Sequence, residues 1–267
     1  MKLDIKKIIK NQINKFLMNF NLVLVNHSIN KDMIKLLKNY PVIKLINNTK
    51  KVNFNNLIKY SSFSKSQILQ DLFVLEHFNF KKNGYFVEFG ACDGVNLSNT
   101  HLLEKKFQWS GILCEPSTYF KKFLEKNRIC NKEFKCVYSD TGNFVNFSET
   151  STKERSTILS YLNADGQINR RKTTKTYQVE TISLNDLLDK YNCPSNFEYL
   201  SIDTEGSEFE ILKKLNFKKY MPQVITIEHN YNKKIRKNIY NLLIKNNYKR
   251  VCSNISYFDD WYIQQKL

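Results

Sequence analysis

The chain reads as an α/β domain built on a mostly parallel sheet with helices on both faces. Two observations predict it. Between Tyr85 and Tyr138 short apolar runs alternate with amphipathic ones in the order strand, helix, strand, helix, strand, joined by tight connections. Acidic residues also follow strand after strand, at Glu88, Glu115, Asp140, Asp203 and Glu228, in a chain whose net charge is +17.

Each element has its own signal. Residues 1–60 contain no Gly and a single Pro and are rich in Lys, Asn and Ile. Ile5, Ile8, Ile9, Ile13 and Phe16 recur at helical spacing, and Met33, Leu36 and Leu37 suggest a second short helix. This segment is expected to be a helical N-terminal extension, a cap or a docking arm, ahead of a domain over 61–267. Ser66–Phe78 reads as a helix with Ser64 or Ser66 as its cap. Asn83-Gly84 is a turn into a strand over Tyr85–Phe89, and Gly90–Gly94 is a loop before a helix over Leu97–Lys106. Ile112–Cys114, Tyr119–Asn127 and Phe134–Tyr138 follow as strand, helix and strand. Asn143–Phe147 and Tyr177–Ile182 read as strands, with a structureless polar stretch from Ser148 to Thr176 between them, the type of segment that often serves as a lid. Helices are expected over Ser183–Tyr191, Glu208–Leu215 and Lys234–Asn246, and strands over Tyr199–Ile202 and Val224–Ile227. Tyr248–Cys252 and Asp260–Ile263 read as a closing antiparallel pair.

The bulk numbers exclude some classes and leave others open. The positive charge comes from 42 Lys and Arg against 25 Asp and Glu. It is mostly Lys interleaved with Asn, Ile and Tyr, as an AT-rich genome would encode, and is expected on solvated faces. None of the six cysteines forms a C-x-x-C pair, so a zinc site is not expected, and the thiols point to a reducing, intracellular setting. The most apolar N-terminal run, Phe16–Val25, is broken by Asn19 and Asn21 and is too short to span a bilayer.

Ligands of open α/β sheets bind beyond the carboxyl ends of the strands. The turn Glu88–Gly94 resembles a nucleotide-binding glycine turn without the full G-x-G-x-x-G, which argues against a pyrophosphate. Carboxylates near such a turn suit a cationic ligand instead. Glu115 lies about 25 positions after Gly90, close to the spacing at which an acid accepts hydrogen bonds from ribose hydroxyls.

Four blocks carry a family resemblance: FVEFGACDGVNLSNT over 86–100, GILCEP over 111–116, LSIDTEGSEFEIL over 200–212 and VITIEHN over 224–230. In that order and spacing they resemble the FkbM-type methyltransferases, from about Ser66 to Ile263. The resemblance implies the Rossmann-like class I methyltransferase fold, S-adenosylmethionine as cofactor, and O-methylation, often of sugars or polyketide hydroxyls. By position it implies that Glu88, Gly90, Asp93 and Gly94 hold the methionine part, that Glu115 holds the ribose, and that Ser139 and Asp140 sit by the adenine. The stretch with Gln67, Gln70 and Asp71 also looks family-like, as a segment closing over the cofactor.

Methyl transfer to a hydroxyl needs an aligned oxygen and a group that takes its proton. Asp203, Glu205 and His229 are the candidate catalytic residues, with His229 favoured as base because its ordinary pKa is near neutral. Asp203 and Glu228, with His229 as a further ligand, are candidates for Mg²⁺ or another divalent cation. Glu205 and Glu208 are read alternatively as acids favouring the N-terminus of the next helix. Trp261, Tyr262 and the polar stretch are candidates for the acceptor pocket. A nucleic-acid methyltransferase is the first alternative, kept open by Arg155, Arg170, Arg171 and Lys172. A non-enzymatic binding module on the same fold is the second.

Overall fold

A computed structural model describes residues 40–49, 53–164 and 171–265. Contacts divide the chain into two compact units, Met1–Ile43 and Lys44–Leu267. Residues 1–39, with both expected N-terminal helices, lie outside the described residues. The first described helix, α1, is Tyr40–Asn48, and α2 is Phe54–Ser61. The second unit begins at Lys44 and includes α2. The reason is aromatic: Tyr60 packs on Phe80 and Phe107, with ring centroids 5.9 and 4.8 Å away.

The main sheet has seven strands: β1 Tyr85–Phe89, β2 Ser110–Cys114, β3 Asn131–Glu133, β8 Tyr199–Ile202, β9 Val224–Glu228, β10 Tyr248–Val251 and β11 Asp259–Gln264. Their order is β10-β11-β9-β8-β1-β2-β3. All neighbours run parallel except β11, which is antiparallel to β9 and β10. This is the class I methyltransferase order. The central strands are buried along almost their whole length, and β9, reading VITIE, is buried throughout, as parallel strands covered on both faces are. The first strand-order reversal lies between β1 and β8, where α/β sheets open a crevice.

The helices are α3 Gln70–His77, α4 His101–Phe107, α5 Lys121–Asn127, α6 Leu184–Lys190, α7 Glu208–Leu212 and α8 Lys233–Lys245. Side chains stop their ends. Ser183 Oγ accepts the Asp186 N–H at 3.1 Å, and Asn232 Oδ1 accepts those of Lys234 and Ile235, both at 3.1 Å. The helix expected from Ser66 starts only at Gln70, because Ser64 and Ser66 hydrogen-bond the Asp71 carboxylate from outside it, at 2.7 and 2.6 Å.

Two expectations change. The third strand of the main sheet is β3, and the run Phe134–Tyr138 splits. Glu133 Oε1 accepts the N–H groups of Phe134 and Lys135 and turns the chain out of the sheet. Cys136–Tyr138 (β4) then joins a second sheet, ordered β4-β7-β5-β6, with β5 Phe144–Thr150, β6 Thr157–Ile158 and β7 Thr173–Ser183. The stretch Ser148–Thr176 is therefore not structureless: β5 and β7 extend into it as an antiparallel pair, with β6 and two 3₁₀ turns between them. Its β7 part is exposed and its β5 part buries the polar Ser148, Glu149 and Thr150, so both lack the apolar alternation that marks a strand. Residues 165–170 of it lie outside the described residues.

Among the described residues, no helix is long and apolar enough to cross a membrane.

Candidate active site

A cavity of about 430 Å³ opens at the carboxyl ends of β1, β2, β8 and β9, and the second sheet supplies its far wall through Phe147, Ile158 and the turn 152–156. Its size suits a cofactor-sized ligand.

The turn after β1 is set by contact with β8. Gly90 has φ +72°, and a Cβ there would lie 1.9 Å from the Asp203 carbonyl oxygen, so only glycine lets the two strand ends approach. Two residues on, the Cys92 N–H donates to Glu115 Oε2 at 2.8 Å, and the other oxygen of Glu115 accepts the Ser117 N–H at 2.8 Å. Each oxygen keeps a lone pair free of these two bonds. Burial pushes Glu115 up to about 7, against the pull of the two backbone bonds. Beside it, Pro116, Val137 and Phe147 make an apolar wall. Glu88 also lines the cavity, but its carboxylate already accepts from Ser98, Asn99 and Thr100. Burial raises its pKa even so, with buried Arg128 nearby opposing the rise.

Four residues expected at the cofactor do not reach this cavity. Asp93 spends its carboxylate on its own loop, accepting the N–H groups of Val95 and Asn96 and the Asn96 side chain. Gly94 is packed under α5, where a Cβ would meet Arg128 and Leu124 at 2.6 and 2.7 Å. Ser139 bonds Asp140, and Asp140 is exposed and faces Lys214 at 3.7 Å. Because β4 leaves the main sheet, Cys136 and Val137 take the wall position, and Ser139 and Asp140 fall beyond it.

The cavity is also lined by the acids Asp203, Glu205 and Glu228. One carboxylate oxygen each from Asp203, Glu208 and Glu228 lies within 4.8 Å of the others, a spacing that one divalent cation could bridge. Glu205 and Asp259 are close enough to act on them electrostatically. Burial, and next the neighbouring carboxylates, hold Asp203 and Glu228 well above the usual carboxylate range. Glu208 Oε1 accepts the N–H groups of Thr204 and Gly206, which ties the acid to the turn after β8. The Asn230 amide donates to Glu228 at 2.8 Å and to Glu205 at 3.2 Å. Arg171, two residues before β7, pairs with Glu205. That guanidinium is 1% exposed, so one of the four basic residues of the polar stretch is turned inward rather than towards a polyanion. Arg170 lies outside the described residues.

His229 does not face the cavity. It is buried, its Nδ1 accepts the Tyr231 N–H at 3.0 Å, and its Nε2 lies 3.9 Å from Asp260 on the far side. Burial also lowers its affinity for a proton. The expected base is thus turned away from the site, and Asp203 and Glu228 remain as groups able to take a proton there. Trp261 and Tyr262 are fully buried, Trp261 stacked on Phe73 at 4.7 Å, so neither forms an acceptor wall. Gln67 does line the cavity, while Gln70 is buried and donates to Asp259 at 2.8 Å. Asn230 and Tyr231 were missed from the sequence; the hint was their place directly after a strand-end acid.

Residues 88–260 match the Methyltransferase FkbM domain family. No curated protein matches the chain. Among solved structures, the chain is similar to a methyltransferase FkbM from Methylobacillus flagellatus, at 12% identity and a TM-score of 0.46, over 86% of this chain and 60% of that one. It thus spans about 60% of that protein's length. It is also similar to a methyltransferase from Pyrococcus furiosus, at 11% identity and a TM-score of 0.38, over 88% and 97% of the two chains. The family match runs from β1 into β11 and takes in most of the cavity lining, and on that match this chain belongs to the FkbM family of S-adenosylmethionine-dependent methyltransferases.

Proposed function

We propose that this protein transfers the methyl group of S-adenosylmethionine to a hydroxyl of a sugar, a glycan or a related small molecule. The observation that carries the reading is that one cavity is lined by two sets of groups. One is Glu115 with an apolar wall; the other is the half-buried Asp203 and the buried Glu228. The first set fits the cofactor: a carboxylate with lone pairs to spare suits ribose hydroxyls, and Pro116, Val137 and Phe147 suit a flat base. Bound there, S-adenosylmethionine supplies an electrophilic methyl group on a cationic sulfur, which nearby carboxylates favour.

The acidic set receives the acceptor. Asp203 and Glu228 are forced by burial and mutual repulsion to share protons, so the ionised member of the pair takes the proton of an incoming hydroxyl. Glu205, held by Arg171 and Asn230, stabilises the arrangement without taking part in proton transfer. A divalent cation on Asp203, Glu228 and Glu208 is a second way to lower the hydroxyl's pKa, favoured by the convergence of the three oxygens. An acid-lined pocket disfavours the phosphates of a nucleic-acid acceptor. The cysteines are all free, which suits the reducing, intracellular setting we propose for the protein.

The test is transfer of labelled methyl from S-adenosylmethionine to a panel of monosaccharides and glycosides, with Mg²⁺ or with EDTA. Asp203→Asn and Glu228→Gln should each lower turnover by about 100-fold or more while the cofactor still binds. Full turnover in both variants would sink the proton-transfer assignment. Methylation of RNA but of no sugar would sink the acceptor class.

A further inference from the structure

The chain leaves β9 through two consecutive residues in left-handed backbone, Asn230 at φ +45° and Tyr231 at φ +59°. For a bulky aromatic residue that conformation is rare, and it persists where the surroundings over-determine it. Here five hydrogen bonds do so. The buried imidazole of His229 accepts the Tyr231 N–H at 3.0 Å. The N–H groups of His229 and Asn230 both donate to the Phe258 carbonyl, at 2.9 and 3.2 Å. The Asn230 side chain is tied to Glu228 and Glu205.

What this turn delivers is a ring in water. Tyr231 lines the cavity and yet is 64% exposed, its ring edge-on to His229 with centroids 6.0 Å apart. Burial does not explain its placement, since most of the ring stays solvated. Leu97, 43% exposed, lines the same cavity and is a second apolar surface left in water. An exposed aromatic ring lining the same cavity as the Asp203 and Glu228 carboxylates offers a stacking surface and a polar set of partners for one ligand.

We propose that Tyr231, set at the cavity rim by His229, is the platform on which the acceptor's ring stacks, and that the acceptor is a pyranose. The C–H face of a pyranose lies on the Tyr231 ring while its hydroxyl edge turns to Asp203 and Glu228. This rests on the acceptor class proposed above. It makes His229 a positioning residue: it acts on the acceptor through Tyr231 and touches neither the acceptor nor the reacting atoms.

The experiment is saturation-transfer NMR on the full chain, saturated with S-adenosylhomocysteine, against a panel of methyl pyranosides, with phenol as a planar ring lacking the hydroxylated edge. The variants are Tyr231→Asn, which removes the ring and accepts left-handed backbone, Tyr231→Phe, which keeps the ring, and His229→Ala. At least one pyranoside should bind through its ring C–H protons. Tyr231→Asn should weaken it roughly tenfold or more, Tyr231→Phe by no more than about twofold, and His229→Ala by an intermediate factor, all with unchanged affinity for S-adenosylhomocysteine. A pyranoside bound equally well by Tyr231→Asn overturns the platform and leaves the acceptor class standing. Phenol bound in a Tyr231-dependent way, with no pyranoside bound, overturns the pyranose. Binding of neither probe by the intact protein overturns the platform and its pyranose together.

Discussion

The Glu115 carboxylate, at the end of β2, accepts the backbone N–H of Cys92, in the turn after β1, at 2.8 Å. That bond joins two strand ends that line the cavity, and it leaves the acid buried with lone pairs to offer the proposed cofactor. Replacing Glu115 with Gln or Ala should weaken S-adenosylmethionine by roughly 10- to 150-fold, the worth of about 1.5–3 kcal/mol of charge-assisted hydrogen bonding. Isothermal titration measures it. The binding should also depend on pH. Burial raises Glu115 from 4.5 to about 7, so the unliganded protein holds a proton there that hydroxyl donors must displace. Affinity should therefore rise as pH climbs through about 7, with proton release on binding below that point, and the Gln variant should lose that part of the dependence. A Gln variant that binds as tightly as the intact protein would remove Glu115 from the site.

How far the sequence led can be judged from particular residues. The β1 turn, Glu115, Asp203 and Glu228 were legible because each stands at the end of an apolar run, and the sheet topology delivers strand ends to one place. Asp93, Ser139 and Asp140 stand in similar positions but fail for local reasons. Asp93 caps its own loop, and β4 leaves the main sheet because Glu133 turns the chain. Neither event has a one-residue signature. The inward course of Arg171 and the outward turn of Tyr231 depend on hydrogen bonds between segments distant in sequence or on a strained backbone, which periodicity does not report. His229 shows the same limit: its residue type suggested a base, and the direction of its ring decides otherwise.

Asp259 gives a test of the acidic set that needs no acceptor. It is buried and raised to about 7, chiefly by burial, with the Gln70 hydrogen bond opposing the rise. Its folded-state pKa lies above its ordinary value of 3.8, so the folded protein binds an extra proton between the two, and stability falls as pH rises through that window. Asp259→Asn keeps the shape and the Gln70 contact but removes the ionisation. In metal-free buffer the variant should gain about 4 kcal/mol relative to the parent above about pH 7 and nothing below about pH 4. Urea denaturation at both ends of the range measures the difference. Equal parent–variant gaps at the two ends would show that Asp259 is not held protonated.

Arg128 ties the β1 turn to the rest of the core, and its removal should be the most damaging polar substitution in the second unit. Its guanidinium is fully buried and donates to Glu104 at 2.9 Å, to the Gly94 carbonyl at 3.0 Å, to Ser98 at 3.1 Å and to Thr100 at 2.9 Å. Burial works to raise Glu104, yet the Arg128 charge and the bonds around it hold that carboxyl below its usual range. Arg128→Met leaves Glu104 and Glu88 buried without their cation, a loss of about 3–5 kcal/mol. The sign of its pH dependence separates charge from packing. A lowered pKa contributes stability that is present above about pH 4.5 and fades as pH falls through the folded-state value. The cost of Arg128→Met should therefore be largest near neutral pH and shrink towards about pH 4, where Glu104 can take up a proton instead. Adding Glu104→Gln to the variant should recover part of the loss at neutral pH. A cost that stays constant with pH and is unrelieved by Glu104→Gln would mean that the side chain matters for the volume it fills and not for the charge it carries.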